Sequence, residues 1–224
     1  GQARNDQKMA LIISDRYTGW TQSYPAPNKS AVETKLAFQR FLGPQTVPKH
    51  VYTDGSREFR KAMQDLGFSH DASTPHHSES NGVAERSVRR VKEGTAVTLT
   101  QSGLSEAWWP EAMTCYCFLR NAVDVQKDGS TPYEKRFGIS FPGPLIPFGA
   151  LIDVVPSPLA KQPKKFNPKT VPAVFLGYVL QPGQKWKGEF RWAELDEFRH
   201  LSLHRDTKAG QCKAKIQIGR DLAN

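Results

Sequence analysis

The stretch that decides the fold is a short β-rich run that ends in a polar turn: His50-Val51-Tyr52-Thr53-Asp54-Gly55-Ser56. Aromatic and β-branched residues favour a strand, and Asp-Gly-Ser favours a turn directly after it. Residues 57–67 then predict a helix of about three turns that ends at Gly67. The sequence therefore predicts a strand, turn and helix with Asp54 at the carboxyl end of the strand.

A second carboxylate, Glu85, lies in Asn81-Gly82-Val83-Ala84-Glu85-Arg86, where we expect the first turn of an amphipathic helix. If the end of this strand and the start of this helix lie close together, the two acidic side chains can share divalent cations. Enzymes that catalyse in-line displacement at phosphorus use this arrangement. The alternative is structural. Asp before Gly is common in turns, and Glu near a helix start interacts favourably with the helix dipole.

The remaining pattern alternates strands with helices and predicts an α/β domain. We expect a hairpin of strands over residues 9–14 and 20–24, with a turn at 16–19 between them. A helix over 30–42 follows, and a strand lies near 68–73. The apolar side of this helix is formed by Ala31, Leu36, Ala37, Phe38 and Phe41. After Gly138, Pro and Gly punctuate three short β-rich pieces, at residues 150–155, 173–179 and 189–192. Residues 199–224 have little periodicity and predict a mobile tail.

We therefore divide the chain into residues 1–138, a small basic β-rich module over 139–198, and a tail over 199–224. Lys and Arg number 31 against 22 Asp and Glu, which gives a formal charge of +9 and favours polyanionic partners. Residues 139–224 hold 13 of the basic and 7 of the acidic side chains, so the C-terminal part is the stronger electrostatic anchor.

The three cysteines are too few for a disulfide framework and fit a reducing compartment. Cys115 and Cys117 lie in an apolar helix that Pro110 begins, where we expect them to pack. His200, His204 and Cys212 have a spacing compatible with zinc, but a single cysteine is a weak signal. We find no secretory or membrane-spanning segment, and expect an intracellular protein of the nucleus or cytoplasm with no membrane partner.

Several strings together resemble the catalytic core of copia-type retrotransposon integrases, and the resemblance covers roughly residues 9–198. The strings that carry it, in the family's order, are Thr53-Asp54-Gly55-Ser56-Arg57-Glu58-Phe59, Ser73-Thr74-Pro75, Asn81-Gly82-Val83-Ala84-Glu85-Arg86-Ser87-Val88-Arg89-Arg90, Trp108-Trp109-Pro110-Glu111-Ala112, Thr131-Pro132-Tyr133-Glu134-Lys135-Arg136-Phe137-Gly138 and Val174-Phe175-Leu176-Gly177-Tyr178. The Asn-Gly-Val-Ala-Glu-Arg string is the most specific of them.

This resemblance implies a ribonuclease H-like mixed sheet with flanking helices, and two aspartates and a glutamate that hold two Mg²⁺ or Mn²⁺ ions. Asp54 matches the second of these residues and Glu85 the third, although fewer residues separate them than is usual in the family. The activity implied is 3'-end processing and strand transfer by a polynucleotidyl transferase. The partners implied are the retroelement DNA ends, the target DNA and further copies of the protein.

The family's first aspartate has no recognisable counterpart here. In the family it stands on an opening strand, and this chain resembles the family only from the following hairpin onward. Asp15 resembles a turn residue and Asp6 a hairpin tip, and we weigh each as a substitute ligand. We expect a fragment of a longer reading frame that lacks the first strand and is inactive alone. Two strands would then carry unpaired edges.

Basic residues beside Glu85 are the candidates for binding DNA. Arg89 and Lys92 follow Glu85 at i+4 and i+7, on one stripe of the helix, while Ala84, Val88 and Val91 form a second stripe that can pack inward. Arg89 and Lys92 either grip phosphates or form ordinary helical ion pairs. The other candidates are Asn81, Lys164 and Lys165, and the loop histidines His76 and His77 could also touch DNA.

Two other functions remain open. One is a domesticated, non-catalytic module that binds nucleic acid or promotes assembly. The other is a different ribonuclease H-like nuclease or transposase, against which the downstream Trp-Trp-Pro-Glu-Ala and Phe-Leu-Gly-Tyr segments argue.

Overall fold

The computed structural model describes residues 3–72, 78–155, 169–199, 214–220 and 222. Strands and helices alternate in the first part of the chain, and an antiparallel sheet follows, which confirms the predicted α/β class with a β-rich C-terminal part. In chain order the elements are β1 (Met9–Ser14), β2 (Thr21–Ala26), α1 (Ala31–Leu42), β3 (Val51–Thr53), α2 (Arg57–Leu66), β4 (His70–Ala72), α3 (Ser78–Ser102), α4 (Trp109–Val123), α5 (Pro132–Phe137), β5 (Leu151–Val154), β6 (Val171–Leu180), β7 (Trp186–Glu194) and β8 (Gln217–Gly219).

The first hairpin pairs β1 with β2 in antiparallel register, with Met9 opposite Ala26 and Ser14 opposite Thr21. Asp15 closes the turn between the strands. Its Oδ1 accepts a hydrogen bond from the Tyr17 N–H at 3.0 Å, and its Oδ2 accepts one from the Thr18 hydroxyl at 2.6 Å. Asp15 is therefore a turn residue, as its resemblance to the family's turn aspartate predicted.

Two helices follow with the predicted boundaries to within a residue. Ser30 caps α1, because its Oγ accepts a hydrogen bond from the Glu33 N–H at 3.3 Å. Gly67 ends α2 in the left-handed conformation, with φ 68°. Ala37, Phe38 and Phe41 of α1 are buried as predicted. Leu36 is exposed, and Thr34 is buried on the packed face with the other three.

The first four strands form two separate pairs among the described residues. Within the described residues, β1 pairs only with β2, and the parallel strands β3 and β4 pair only with each other. The sequence of β1 is apolar on both faces, yet only Ile13 is buried in it. A cavity of about 320 Å³ lies beside β1 and is also lined by α1 and by Phe59 of α2. Strands with unpaired edges of this kind are unusual in packed sheets.

α3 begins earlier than predicted. It starts at Ser78 and includes Asn81 and Gly82, so these two residues do not form the entry to the helix. Gly in place of Ala destabilises a helix by only about 1 kcal/mol, and a helix of 25 residues remains stable despite this loss. Glu85 consequently lies about two turns inside the helix rather than in its first turn. Because the helix dipole acts mainly on the terminal turn, it does not account for Glu85.

The C-terminal sheet has the order β5-β6-β7-β8 and is antiparallel throughout. It packs against α4, and one hydrophobic cluster runs from Trp20 through Phe118 of α4 to Phe175 and Trp192 of the sheet. β8 lies within the range predicted as a mobile tail, and that prediction does not hold for Gln217–Gly219. Ile216 and Ile218 alternate with polar residues, and Gln217–Gly219 pair with the edge of β7 opposite Trp192, Arg191 and Phe190. The division at residues 138 and 198 stays a prediction.

Gly94 lets α3 and α4 approach each other. A Cβ atom added at Gly94 would lie 1.9 Å from Cζ of Tyr116, whose ring crosses α3 at this position. We predict that Gly94→Ala lowers the free energy of unfolding by about 1–3 kcal/mol, because the overpacked ring must move. Urea denaturation measures the change.

Gly82→Ala is the matched control, since it lies in the same helix and its added Cβ would meet only the Arg86 guanidinium at 3.5 Å. We expect this variant to be as stable as the parent or more stable by up to about 1 kcal/mol. Equal destabilisation by the two substitutions would contradict the packing role of Gly94.

Candidate metal and nucleic-acid site

Asp54 follows the last residue of β3 and is exposed. Its Oδ1 accepts a hydrogen bond from the Ser56 N–H at 3.1 Å, which closes a tight turn around Gly55. Gly55 has φ 76°, a left-handed conformation that glycine adopts without strain. The carboxylate thus stands at the carboxyl end of a strand and faces solvent, where an ion or a phosphate could reach it.

An ion pair joins the start of α1 to the first turn of α2 beside this turn. Lys29 Nζ lies 2.8 Å from Glu58 Oε1. The hydrogen bond between them is the main cause of a raised pKa for Lys29 and a lowered pKa for Glu58. The negative charge of Asp54 further raises the pKa of Lys29. Asp54 therefore has a cation within electrostatic range, a feature that the sequence pattern did not predict.

Glu85 is exposed on α3, and so are Arg89 and Lys92 at i+4 and i+7. The predicted acidic and basic stripe is therefore accessible along the helix. Ala84 and Val88 are also exposed, so the prediction that they pack inward is wrong. Val91 is the first buried residue of that stripe, against Met113 and Cys117 of α4. The reason is that α4 covers only the later part of α3.

Several candidates lie outside the described residues. These are His76 and His77, Lys164 and Lys165, and the possible zinc ligands His200, His204 and Cys212. The backbone of Asn81 is helical, but its side chain is not among those described. The roles of all these residues stay predictions.

The carboxylate oxygens of Asp54 and Glu85 are ligands of the hard type that Mg²⁺ and Mn²⁺ prefer. In the part of the chain that the structure describes, no group of three or more His, Cys, Asp or Glu could hold a metal ion. Asp15 is committed to its turn, and Asp6 adopts a left-handed turn conformation with φ 57°. The two carboxylates therefore suit a divalent ion chemically, while a third protein ligand is not found among the described residues.

The downstream motifs have structural roles. Glu111, in Trp-Trp-Pro-Glu-Ala, is buried and lies 3.3 Å from the Arg4 guanidinium, which also stacks over Trp108 at 4.3 Å. Burial is the main cause of the raised pKa of Glu111, and Arg4 counteracts it. Tyr133 and Tyr178, from the other two motifs, pack against Phe118 with ring centroids 6.3 Å and 4.4 Å away. These motifs build the core rather than the site.

Glu111→Ala should destabilise the protein by about 3 kcal/mol, because it leaves the buried guanidinium of Arg4 without its carboxylate. Chemical denaturation of the variant and the parent measures this difference. Glu93→Ala is the control, since Glu93 is exposed on α3 and should change stability by no more than about 0.5 kcal/mol. If both variants were equally stable, the Arg4–Glu111 pair would not anchor the segment before β1.

The chain is similar to retrovirus-related Pol polyproteins of plant transposons. It is 30% identical over 187 residues to the polyprotein of transposon RE1 from Arabidopsis thaliana, which covers 80% of this chain and 13% of the polyprotein. It is 28% identical over 136 residues to that of transposon TNT 1-94 from Nicotiana tabacum, covering 55% of this chain and 9% of the polyprotein. The chain thus spans a small part of these relatives. The predicted resemblance to a retrotransposon protein is confirmed.

Two solved structures are also similar over 56% of this chain and 82% of theirs. One is the catalytic core domain of BIV integrase, with 21% identity and a TM-score of 0.43. The other is the HTLV-2 integrase catalytic core domain in complex with magnesium, in a trimeric form, with 19% identity and a TM-score of 0.44. No protein-family model matches the chain. Among the described residues, none of the helices combines the length and hydropathy needed to cross a bilayer.

Proposed function

We propose that this chain, a relative of the retrovirus-related Pol polyproteins of transposons, is a part of a copia-type retroelement integrase core that carries two of its catalytic carboxylates, Asp54 and Glu85. The observation that carries this proposal is their placement. Asp54 stands exposed at the carboxyl end of β3, and Glu85 stands exposed on α3 beside a row of cations.

The role we assign to Asp54 and Glu85 is to hold Mg²⁺ or Mn²⁺ through their oxygens. Two such ions, when bound, supply activation of an attacking oxygen and stabilisation of a leaving oxygen at phosphorus. The reactions are 3'-end processing and strand transfer. A serine or cysteine nucleophile is not needed, and the buried thiols of Cys115 and Cys117 fit this, since burial raises their pKa.

Arg89 and Lys92 have the role of binding the phosphates of the DNA end next to the carboxylates. Their exposure on the stripe of Glu85 supports this assignment. Asn81, Lys164 and Lys165 extend the proposed DNA surface on sequence grounds alone. The proposed partners are retroelement DNA ends, target DNA and further copies of the complete protein.

We propose that a third carboxylate comes from a residue outside the described part of this chain, and that the chain alone is catalytically inactive. The alternative function is a non-catalytic nucleic-acid-binding or assembly module. What favours this alternative is that the described residues contain no group of three or more possible metal ligands.

Mn²⁺ binding by the full chain tests the metal role. We predict weak Mn²⁺ binding by isothermal titration calorimetry. Asp54→Asn and Glu85→Gln should each reduce the affinity by at least about 5-fold, the factor for an electrostatic interaction of about 1 kcal/mol between a carboxylate and a cation in water. Asp15→Asn is the matched control, because its carboxylate serves a turn, and it should bind Mn²⁺ as the parent does. Unchanged affinity in both site variants would favour the non-catalytic module.

Salt dependence of DNA binding tests the basic stripe. Arg89→Ala with Lys92→Ala should weaken binding and reduce the slope of log K against log salt by about 1.8, because two phosphate contacts are lost. Fluorescence anisotropy with a labelled duplex measures both quantities. Arg60→Ala with Lys61→Ala removes the same charge from exposed positions on α2 and should keep the parent slope. An unchanged slope after replacement of Arg89 and Lys92, or an equal reduction in the control pair, would overturn the assignment.

A further inference from the structure

A chain of hydrogen bonds joins β4 to the turn that carries Asp54. His70 Nε2 lies 2.8 Å from Thr53 Oγ1, and the same hydroxyl oxygen accepts a hydrogen bond from the Gly55 N–H at 3.3 Å. In the parallel register His70 stands opposite Val51, so its ring reaches forward along the pair to the last residue of β3. The contact therefore links residues on both sides of Asp54.

The roles of the donors and acceptors are consistent. The Thr53 oxygen accepts from the Gly55 N–H through one lone pair, and the hydroxyl then donates to His70 Nε2 or accepts from it, according to the tautomer of the imidazole. β3 has only three residues and, within the described residues, pairs on one side, so few backbone hydrogen bonds hold its end. A side-chain hydrogen bond at this point therefore contributes more to holding the turn in place than it would beside a long central strand.

We infer that His70 is a positioning residue for Asp54. Through Thr53 it fixes the peptide of Gly55, and with it the direction in which the Asp54 carboxylate leaves the strand. The inference rests on the proposed function, because it assigns to His70 the orientation of a metal ligand. His70 itself does not touch the ion or the DNA in this assignment.

A second histidine on the same strand pair provides a matched control. His50 lies just before β3, at its other end. Its Nδ1 lies 3.1 Å from Ser69 Oγ, and its Nε2 lies 3.3 Å from Asp71 Oδ2. His50 thus bridges the segments of β3 and β4 as His70 does, but it makes no link to the turn of Asp54.

The experiment measures two quantities in the full chain, amide exchange at Gly55 without metal and Mn²⁺ affinity. For His70→Ala we expect faster exchange at Gly55 and Mn²⁺ affinity reduced by about 5-fold, the factor for one typical hydrogen bond. His70→Gln should retain most of both values, because its amide can reach Thr53 from the same position. His50→Ala should retain both values in full.

Thr53→Val tests the link without changing the histidine. It should accelerate exchange at Gly55 at least as much as His70→Ala does, because it also removes the oxygen that accepts the Gly55 N–H. The double variant should be no worse than Thr53→Val alone, because the contact with His70 is already lost in that variant. Parent-like exchange at Gly55 in His70→Ala would overturn the inference, as would equal losses in His50→Ala. If the parent bound no Mn²⁺ through Asp54, the proposed function would fail, whereas exchange at Gly55 would still report on the link itself.

Discussion

Burial of α4 is the constraint on which the rest of the structure depends. Its Phe118 packs against Trp20, which precedes β2, and against Tyr178 of β6, so one helix joins the first hairpin to the C-terminal sheet. Gly94 brings α3 close to its other side. Because close-packed interiors tolerate little change in volume, these contacts fix where α3 lies. The part of α3 beyond α4 is left exposed, and Glu85 stands there.

The two candidate carboxylates are held by different means. Glu85 belongs to a long helix that the core fixes at its later part, while Asp54 follows a three-residue strand with one paired neighbour. The short strand depends on side-chain links, namely Thr53 with His70, and it lies near the ion pair of Lys29 with Glu58. Among the described residues, β1 pairs only with β2 and β3 pairs only with β4.

Much of this architecture could be predicted from local signals. Caps and glycines predicted the ends of α1 and α2, and short apolar, β-rich runs predicted β1 and β6. The start of α3 was missed because Asn81-Gly82 is a strong breaker signal that helix length outweighs. The exposure of Leu36 and Val88 was missed because periodicity shows which residues share a face but not how far a partner covers it. The link of His70 to Thr53 has no sequence signal, since it depends on strand register.

The most direct measurement is a Mn²⁺ titration of the isotope-labelled chain, followed by paramagnetic broadening of its amide signals. The central claim is that Asp54 and Glu85 serve one metal site. It predicts that signals near Asp54 and near Glu85 broaden together, with the same midpoint, while those near Asp15 stay sharp. Broadening at only one of the two carboxylates, or at neither, would contradict the account.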